Sequence, residues 1–182
     1  MNIKKLTYDE IVASRPAPEA SLAKPRNPIV AIADDIRSLH NIGAIFRTSD
    51  GAHIEYLFLC GISGTPPRSE IRKASLGAED SVPWSYIKDA APLITDLKAR
   101  GYQIVALEHT DNSADYRQAD YRFPICLIVG NEYNGIQDRL VASADMAVEI
   151  PMLGIKQSLN VSVAYGIAVY EILARWRERI IK

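Results

Sequence analysis

Three short stretches of this sequence bring together polar side chains and glycines in patterns that can do chemistry. The first is Asn41-Ile42-Gly43-Ala44-Ile45-Phe46-Arg47-Thr48, followed by Gly51. Asn41 can cap a helix, and Gly43 permits close approach of another backbone or of a ligand. Arg47 falls on the same helical side as Gly43 and Gly51, so it can point from the helix toward a site, or lie on the surface as an ordinary arginine. A guanidinium is always charged and a poor proton acceptor, so its chemistry here would be to stabilise negative charge.

The second stretch, Gly130-Asn131-Glu132-Tyr133-Asn134-Gly135, directly follows the apolar run Ile125 to Val129. Two glycines around an acid suit a tight loop whose amides could face a bound molecule, although strand-to-helix turns use the same residues without binding anything. The third is Ile150-Pro151-Met152-Leu153-Gly154-Ile155-Lys156-Gln157-Ser158-Leu159-Asn160. Its Met152, Leu153, Ile155 and Leu159 are unusually apolar for a connector and could line a pocket for a flat aromatic group such as adenine. Ser158 and Asn160 can belong to that site or cap the helix that follows.

Elements must hold these stretches in place. Apolar runs at Ile29–Ala33, Tyr56–Cys60, Gln103–Leu107, Ile125–Val129 and Ala147–Ile150 read as strands, and their unbroken character suits a parallel sheet buried on both faces. Helical spacing appears over Ile42–Ser49, over Ala90–Arg100 with Gly101 as its stop, and over Asn160–Ile181. The alternation predicts an α/β fold with a mostly parallel sheet flanked by helices, and all three stretches sit where open sheets of that kind bind ligands. Before the first strand, Thr7 and Glu10 form a capping-box pattern for a short helix to Ala13, and Pro16, Pro18, Pro25 and Pro28 mark an extended connector. Residues 1–28 are therefore expected as an N-terminal helix and Pro-rich extension, and residues 29–182 as one α/β domain.

Composition narrows the function classes. Lys+Arg 21 against Asp+Glu 22 gives a net charge of −1, so any affinity for nucleic acid must come from a local patch. Arg37, Arg47, Arg68, Arg72, Lys73 and Lys156 are candidates. Arg175, Arg177, Arg179 and Lys182, at the end of the last helix, complement its dipole or contact RNA. Cys60 and Cys126 lie in apolar runs and read as buried small hydrophobes in a reducing compartment, with no metal expected. No run approaches the roughly 18 apolar residues of a membrane span, which leads to the expectation of a soluble, cytoplasmic protein. No GxGxxG fingerprint and no P-loop is present, which disfavours a nucleotide-binding oxidoreductase.

Taken in order, Asn41…Gly43…Arg47, Gly130-Asn131-Glu132…Gly135, and Ile150-Pro151-Met152…Ser158-Leu159-Asn160-Val161-Ser162 resemble the three signature motifs of the SpoU, or TrmH-like, branch of the SPOUT RNA methyltransferases. Lys73 to Ala78 looks like a further stretch of that family. The resemblance spans roughly Ile29 to Tyr170 and implies a C-terminal deep trefoil knot that holds S-adenosyl-L-methionine, and a homodimer whose sites are completed across subunits. It implies methylation of a ribose 2′-hydroxyl of tRNA or rRNA, with RNA and not DNA as the partner. The matched catalytic positions are Arg47, Asn41, Glu132, Ser158 and Asn160. The matched cofactor-binding positions are Leu107, Gly130, Asn131, Glu132, Ile150, Met152, Ser158 and Leu159. Two departures stand out: Gln157 where many relatives carry Glu, and Tyr133-Asn134 where many have smaller or basic residues. The alternative from another class is a knotted RNA-binding protein that no longer transfers methyl groups.

Overall fold

The computed structural model describes residues 3–14 and 23–181; Pro16 and Pro18 of the expected connector, and Lys182, lie outside them. Helix α1, Tyr8–Ala13, begins at the anticipated capping box: the Thr7 hydroxyl accepts from the Glu10 N–H, and the Thr7 N–H donates to the Glu10 carboxylate. None of its residues is buried.

Seven strands follow: β1 (Asn27–Asp34), β2 (Ile54–Cys60), β3 (Trp84–Ile87), β4 (Gln103–Leu107), β5 (Ala114–Asp115), β6 (Ile125–Val129) and β7 (Met146–Glu149). They form one sheet in the order β3-β2-β1-β6-β4-β7-β5, and every pair is parallel. Five of the strands match the apolar runs of the sequence, with β7 displaced by one residue toward the amino end. β3 and β5 were not expected: β3 is a partly exposed edge strand with polar Ser85 at its centre, and β5 is only two residues long.

The unbroken apolar runs are explained by two cores, one on each face. Along β1, Ile29, Ala31 and Ala33 point into one cluster and Val30 and Ile32 into the other, as the two-residue period of a strand requires. The first face is covered by α2 (Leu39–Ala52) and α6 (Val161–Ile181), whose Ile42, Ile45, Phe46, Tyr165, Ala168, Val169 and Ile172 are fully buried. The second is covered by α4 (Ala90–Ala99) with Ile94 and Leu97, and by the short α5 (Asp138–Val141) with Leu140. Gly101 follows α4 at φ +86°, the left-handed stop anticipated from sequence.

Gly43 meets a backbone rather than a ligand. A Cβ there would lie 2.6 Å from the carbonyl oxygen of Ile71 in α3 (Ser69–Ser75), so the glycine lets α2 and α3 touch. Asn41 does not cap α2 either; Ser38 does, its hydroxyl accepting from the Asn41 N–H at 3.3 Å. That places Asn41 in the first turn and frees its amide for other partners. The Lys73–Ala78 stretch ends α3 and turns through Leu76 and Gly77, both at positive φ, with the Ser75 hydroxyl donating to Glu79.

Candidate active site

All the strands run the same way, so β1, β4, β6 and β7 deliver their following loops to one edge of the sheet. There a cavity of about 240 Å³ opens between three walls. One is the end of β4, with Leu107, Glu108 and His109. The second is the loop after β6, from Gly130 to Glu132 with Tyr133 and Gly135. The third comprises Ile150, Met152, Ser158, Leu159 and Asn160, on the segment joining β7 to α6.

The loop after β6 is closed by reciprocal backbone hydrogen bonds between Asn131 and Gly135, at 3.0 and 2.9 Å. Asn131 spends its side chain on the same loop: its carbonyl oxygen accepts from the N–H groups of Tyr133 and Asn134, and its amide donates to the Asp35 carbonyl at 2.7 Å. Gly130 lies so close to the Gly135–Ile136 backbone that a Cβ would stand 2.2 Å from the Ile136 nitrogen.

Three of the anticipated residues join in one hydrogen-bonded chain. The Glu132 carboxylate accepts from the Arg37 and Ser38 N–H groups at 3.1 Å each and from the Asn41 side-chain amide at 2.8 Å. The Asn41 carbonyl oxygen accepts from the Asn160 amide at 3.0 Å, and the Asn160 carbonyl oxygen accepts from the Ser162 N–H at 2.9 Å. A carboxylate can only accept and a backbone N–H can only donate, so both ends fix which way each amide faces. The relay ties the start of α2, the β6 loop and the start of α6 to one another. It also reconciles the two readings of Asn160, which caps α6 and lines the cavity at once.

Burial acts to raise the Glu132 pKa, but the donors from Asn41, its own N–H, Arg37 and Ser38 outweigh it and hold the carboxyl below the usual range. A depressed folded-state pKa contributes stability above the ordinary carboxylate range, and that stability is lost as the pH falls through the folded value. Glu132→Gln is expected to cost about 1 kcal/mol at pH 7, a modest figure because the side chain is only partly withdrawn from solvent, and the gap from the parent should shrink toward pH 3. Urea midpoints followed by circular dichroism between pH 7 and pH 3 check this; a constant gap would show that the charge contributes nothing.

Ser158 faces the cavity and makes no side-chain hydrogen bond among the described residues. Arg47 is exposed on α2, does not line the cavity and has no ion pair or hydrogen bond among the described residues. The eight anticipated cofactor positions all line this cavity, whereas Arg47 and Asn41 do not.

Sequence reading missed three polar residues of the cavity. Glu108 accepts from the Ile136 and His109 N–H groups at 2.9 Å each, and Gly135 at φ +70° leaves room for it, since a Cβ there would lie 2.3 Å from the carboxylate. Glu149 accepts from the Ser113 hydroxyl at 2.6 Å and lies 3.3 Å from the His109 ring nitrogen; those two contacts hold its carboxyl below the usual range. The only available signal was position: an acid at or just beyond the end of a strand that also carries a motif or flanks one.

Comparison with known proteins bears on this arrangement directly, because residues 28–170 match the profile described as the SpoU rRNA Methylase family. The chain belongs to that family. It is 36% identical over 156 residues to the tRNA (guanosine(18)-2′-O)-methyltransferase of Aquifex aeolicus (strain VF5), covering 82% of this chain and 71% of that one. It is 33% identical over 153 residues to the enzyme of the same name from Escherichia coli (strain K12), covering 82% of this chain and 65% of that one. The chain thus spans just under two thirds of the length of the latter SpoU relative. Among solved SpoU structures, the A. aeolicus TrmH/SpoU tRNA modifying enzyme superposes with a TM-score of 0.81 at 33% identity, over 89% of this chain and 82% of that one. An AdoMet-bound rRNA methyltransferase from Sinorhizobium meliloti gives a TM-score of 0.77 at 30% identity, over 88% and 61%.

Proposed function

We propose that this SpoU chain is an S-adenosyl-L-methionine-dependent methyltransferase acting on a ribose 2′-hydroxyl of tRNA or rRNA. The observation that carries the reading is the convergence of the second and third motif segments on one cavity, tied to the first through the Glu132–Asn41–Asn160 relay. The names of the relatives support the reaction and the RNA class, and the AdoMet-bound neighbour supports the cofactor.

The cavity suits that cofactor. Leu107, Ile150, Met152 and Leu159 offer apolar walls for a flat adenine, and the acidic side chains offer partners to a cation. When bound, the cofactor supplies a methyl group on a positively charged sulfur. The chain's own residues then have to orient the ribose and stabilise the oxygen as it gains nucleophilic character. Ser158, with an uncommitted hydroxyl, and Asn160, held by the relay, are the groups that orient. Asn41 and Glu132 act through Asn160 and are positioning residues. Arg47 supplies positive charge to the developing oxyanion, and its exposure away from the cavity of its own chain supports service to the site of a partner subunit in a homodimer.

The same reading extends to the threading of the 130–160 region as a deep trefoil knot and to the division at residue 28 between an extension and the catalytic domain. No helix among the described residues is long and apolar enough to cross a membrane, in keeping with a cytoplasmic enzyme. RNA phosphates would meet the exposed Arg37, Arg68, Lys73 and Lys156; Arg72 is engaged by Glu79 and Asp80 at 3.1 Å each.

The test is incubation of the purified protein with methyl-labelled S-adenosylmethionine and total RNA from cells lacking it, then nuclease digestion and mass analysis of the nucleosides. A 2′-O-methylated nucleoside is the expected product. Cofactor binding without labelling of any RNA would favour the non-catalytic knotted RNA-binding protein.

A further inference from the structure

The cavity's charge is one-sided. Glu108, Glu132 and Glu149 line it, with His109, and no lysine or arginine among the described residues does. The Glu132 charge is partly offset by the positive end of α2, where it accepts from the N–H groups of Arg37 and of the cap residue Ser38, just ahead of the helix. Glu108 has no such offset, and Glu149 has only the His109 ring beside it, at 3.3 Å. Their partners are the Ile136 and His109 N–H groups for Glu108, and the Ser113 hydroxyl with the His109 ring for Glu149. Backbone N–H and hydroxyl dipoles satisfy the lone pairs of a carboxylate and leave its net charge in place. The nearby cations, Lys156 and Arg37, are exposed, where water screens them.

We propose that Glu108 and Glu149 make this cavity select the charge of its occupant, holding the cationic methyl donor more tightly than the neutral product left after transfer. The inference rests on the reading of the cavity as the cofactor site. In the transfer, the sulfur–methyl bond breaks with its electron pair remaining on sulfur, a bond forms from the ribose oxygen to the methyl carbon, and the hydroxyl proton passes to solvent. The cofactor thereby loses one positive charge inside an acidic cleft. The reaction itself removes part of the attraction that held the donor, which favours release of the product and reloading.

Removing a unit charge from the wall of a partly solvated cleft changes the binding of a cation there by roughly fivefold. Calorimetric titration of the full chain at low ionic strength with S-adenosylmethionine, S-adenosylhomocysteine, and an analogue carrying a protonated amine in place of the sulfonium reads this directly. Glu149→Gln and Glu108→Gln are each expected to weaken the two cationic ligands by roughly fivefold, with S-adenosylhomocysteine changing by less than about twofold. Glu149→Gln is the safer variant, because Glu108 also holds the Ile136 N–H of the cavity wall. Weakening of all three ligands in parallel, or no change in either variant, overturns the charge selection and leaves the cavity's assignment standing. Failure of the parent protein to bind any of the three overturns the assignment itself and the proposal with it.

Discussion

Arg47→Ala is expected to lower methyl transfer by about a hundredfold or more, the loss typical of removing one group that stabilises a developing oxyanion. Folding and cofactor affinity should stay near those of the parent. Arg47 is exposed and has no partner among the described residues, so its removal leaves no buried group unsatisfied and should change stability by no more than about 0.5 kcal/mol. Initial rates with labelled cofactor, thermal melting and calorimetry separate the three quantities. Arg47→Lys keeps the charge without the planar fork and should recover only part of the rate. Subunit mixing tests the proposal that the site is shared between two subunits. A dimer of one Arg47→Ala chain and one Ser158→Ala chain holds one cavity with both residues intact, so activity should return on mixing. Absence of recovery after subunit exchange would assign Arg47 to its own chain's cavity.

Gly130→Ala should instead damage the fold. The added Cβ would lie 2.2 Å from the Ile136 nitrogen, 2.3 Å from the Gly135 carbonyl carbon and 2.5 Å from its oxygen. These are backbone atoms and cannot swing aside, so the loop must open. Opening strains the paired Asn131–Gly135 hydrogen bonds and the hold of Glu108 on the Ile136 N–H. A loss of about 3 kcal/mol is expected, with cofactor binding abolished because the loop is one wall of the cavity. Gly154→Ala serves as the control: nothing lies within 4 Å of a Cβ there, and it should be close to neutral. Urea denaturation compares the two; equal midpoints would mean that the loop accommodates a methyl group.

The central strands were legible because they are buried on both faces and carry unbroken apolar runs, as in Ile125–Val129. Trp84–Ile87 gave no such signal, since an edge strand half open to solvent needs neither length nor uniform hydrophobicity. Asn41 was legible as a polar residue near a helix start, but its actual use was not. Ser38 takes the cap, and the Asn41 side chain turns to Glu132 and Asn160, partners far along the chain that only the fold brings near. Glu108 was invisible for the same reason, as its main partner is a backbone N–H in a distant loop. The cysteines behaved as composition implied: both are buried and free, and burial pushes the Cys60 thiol up to about 12.

The strand order has a consequence for how the molecule comes into being. β1, β2 and β3 are contiguous in sequence and neighbours in space, so the first half of the sheet can assemble as the chain emerges. β4 pairs with none of them. It joins only after β6 has entered between it and β1, pairing Ile29 with Ile125 on one side and Gln103 with Ile125 on the other. Until then one side of β1 stays open, an unpaired apolar edge of the kind on which nascent chains stick to one another, and the pairing that closes it spans a long stretch of sequence and is slow. The three walls of the cavity follow in the same sequence, and the last of them is set only when Tyr165 of α6 docks against Ser49 of α2. Ligand binding therefore reports complete assembly, and a chain halted just short of Val161 would own all seven strands without the helix that holds the third wall in place.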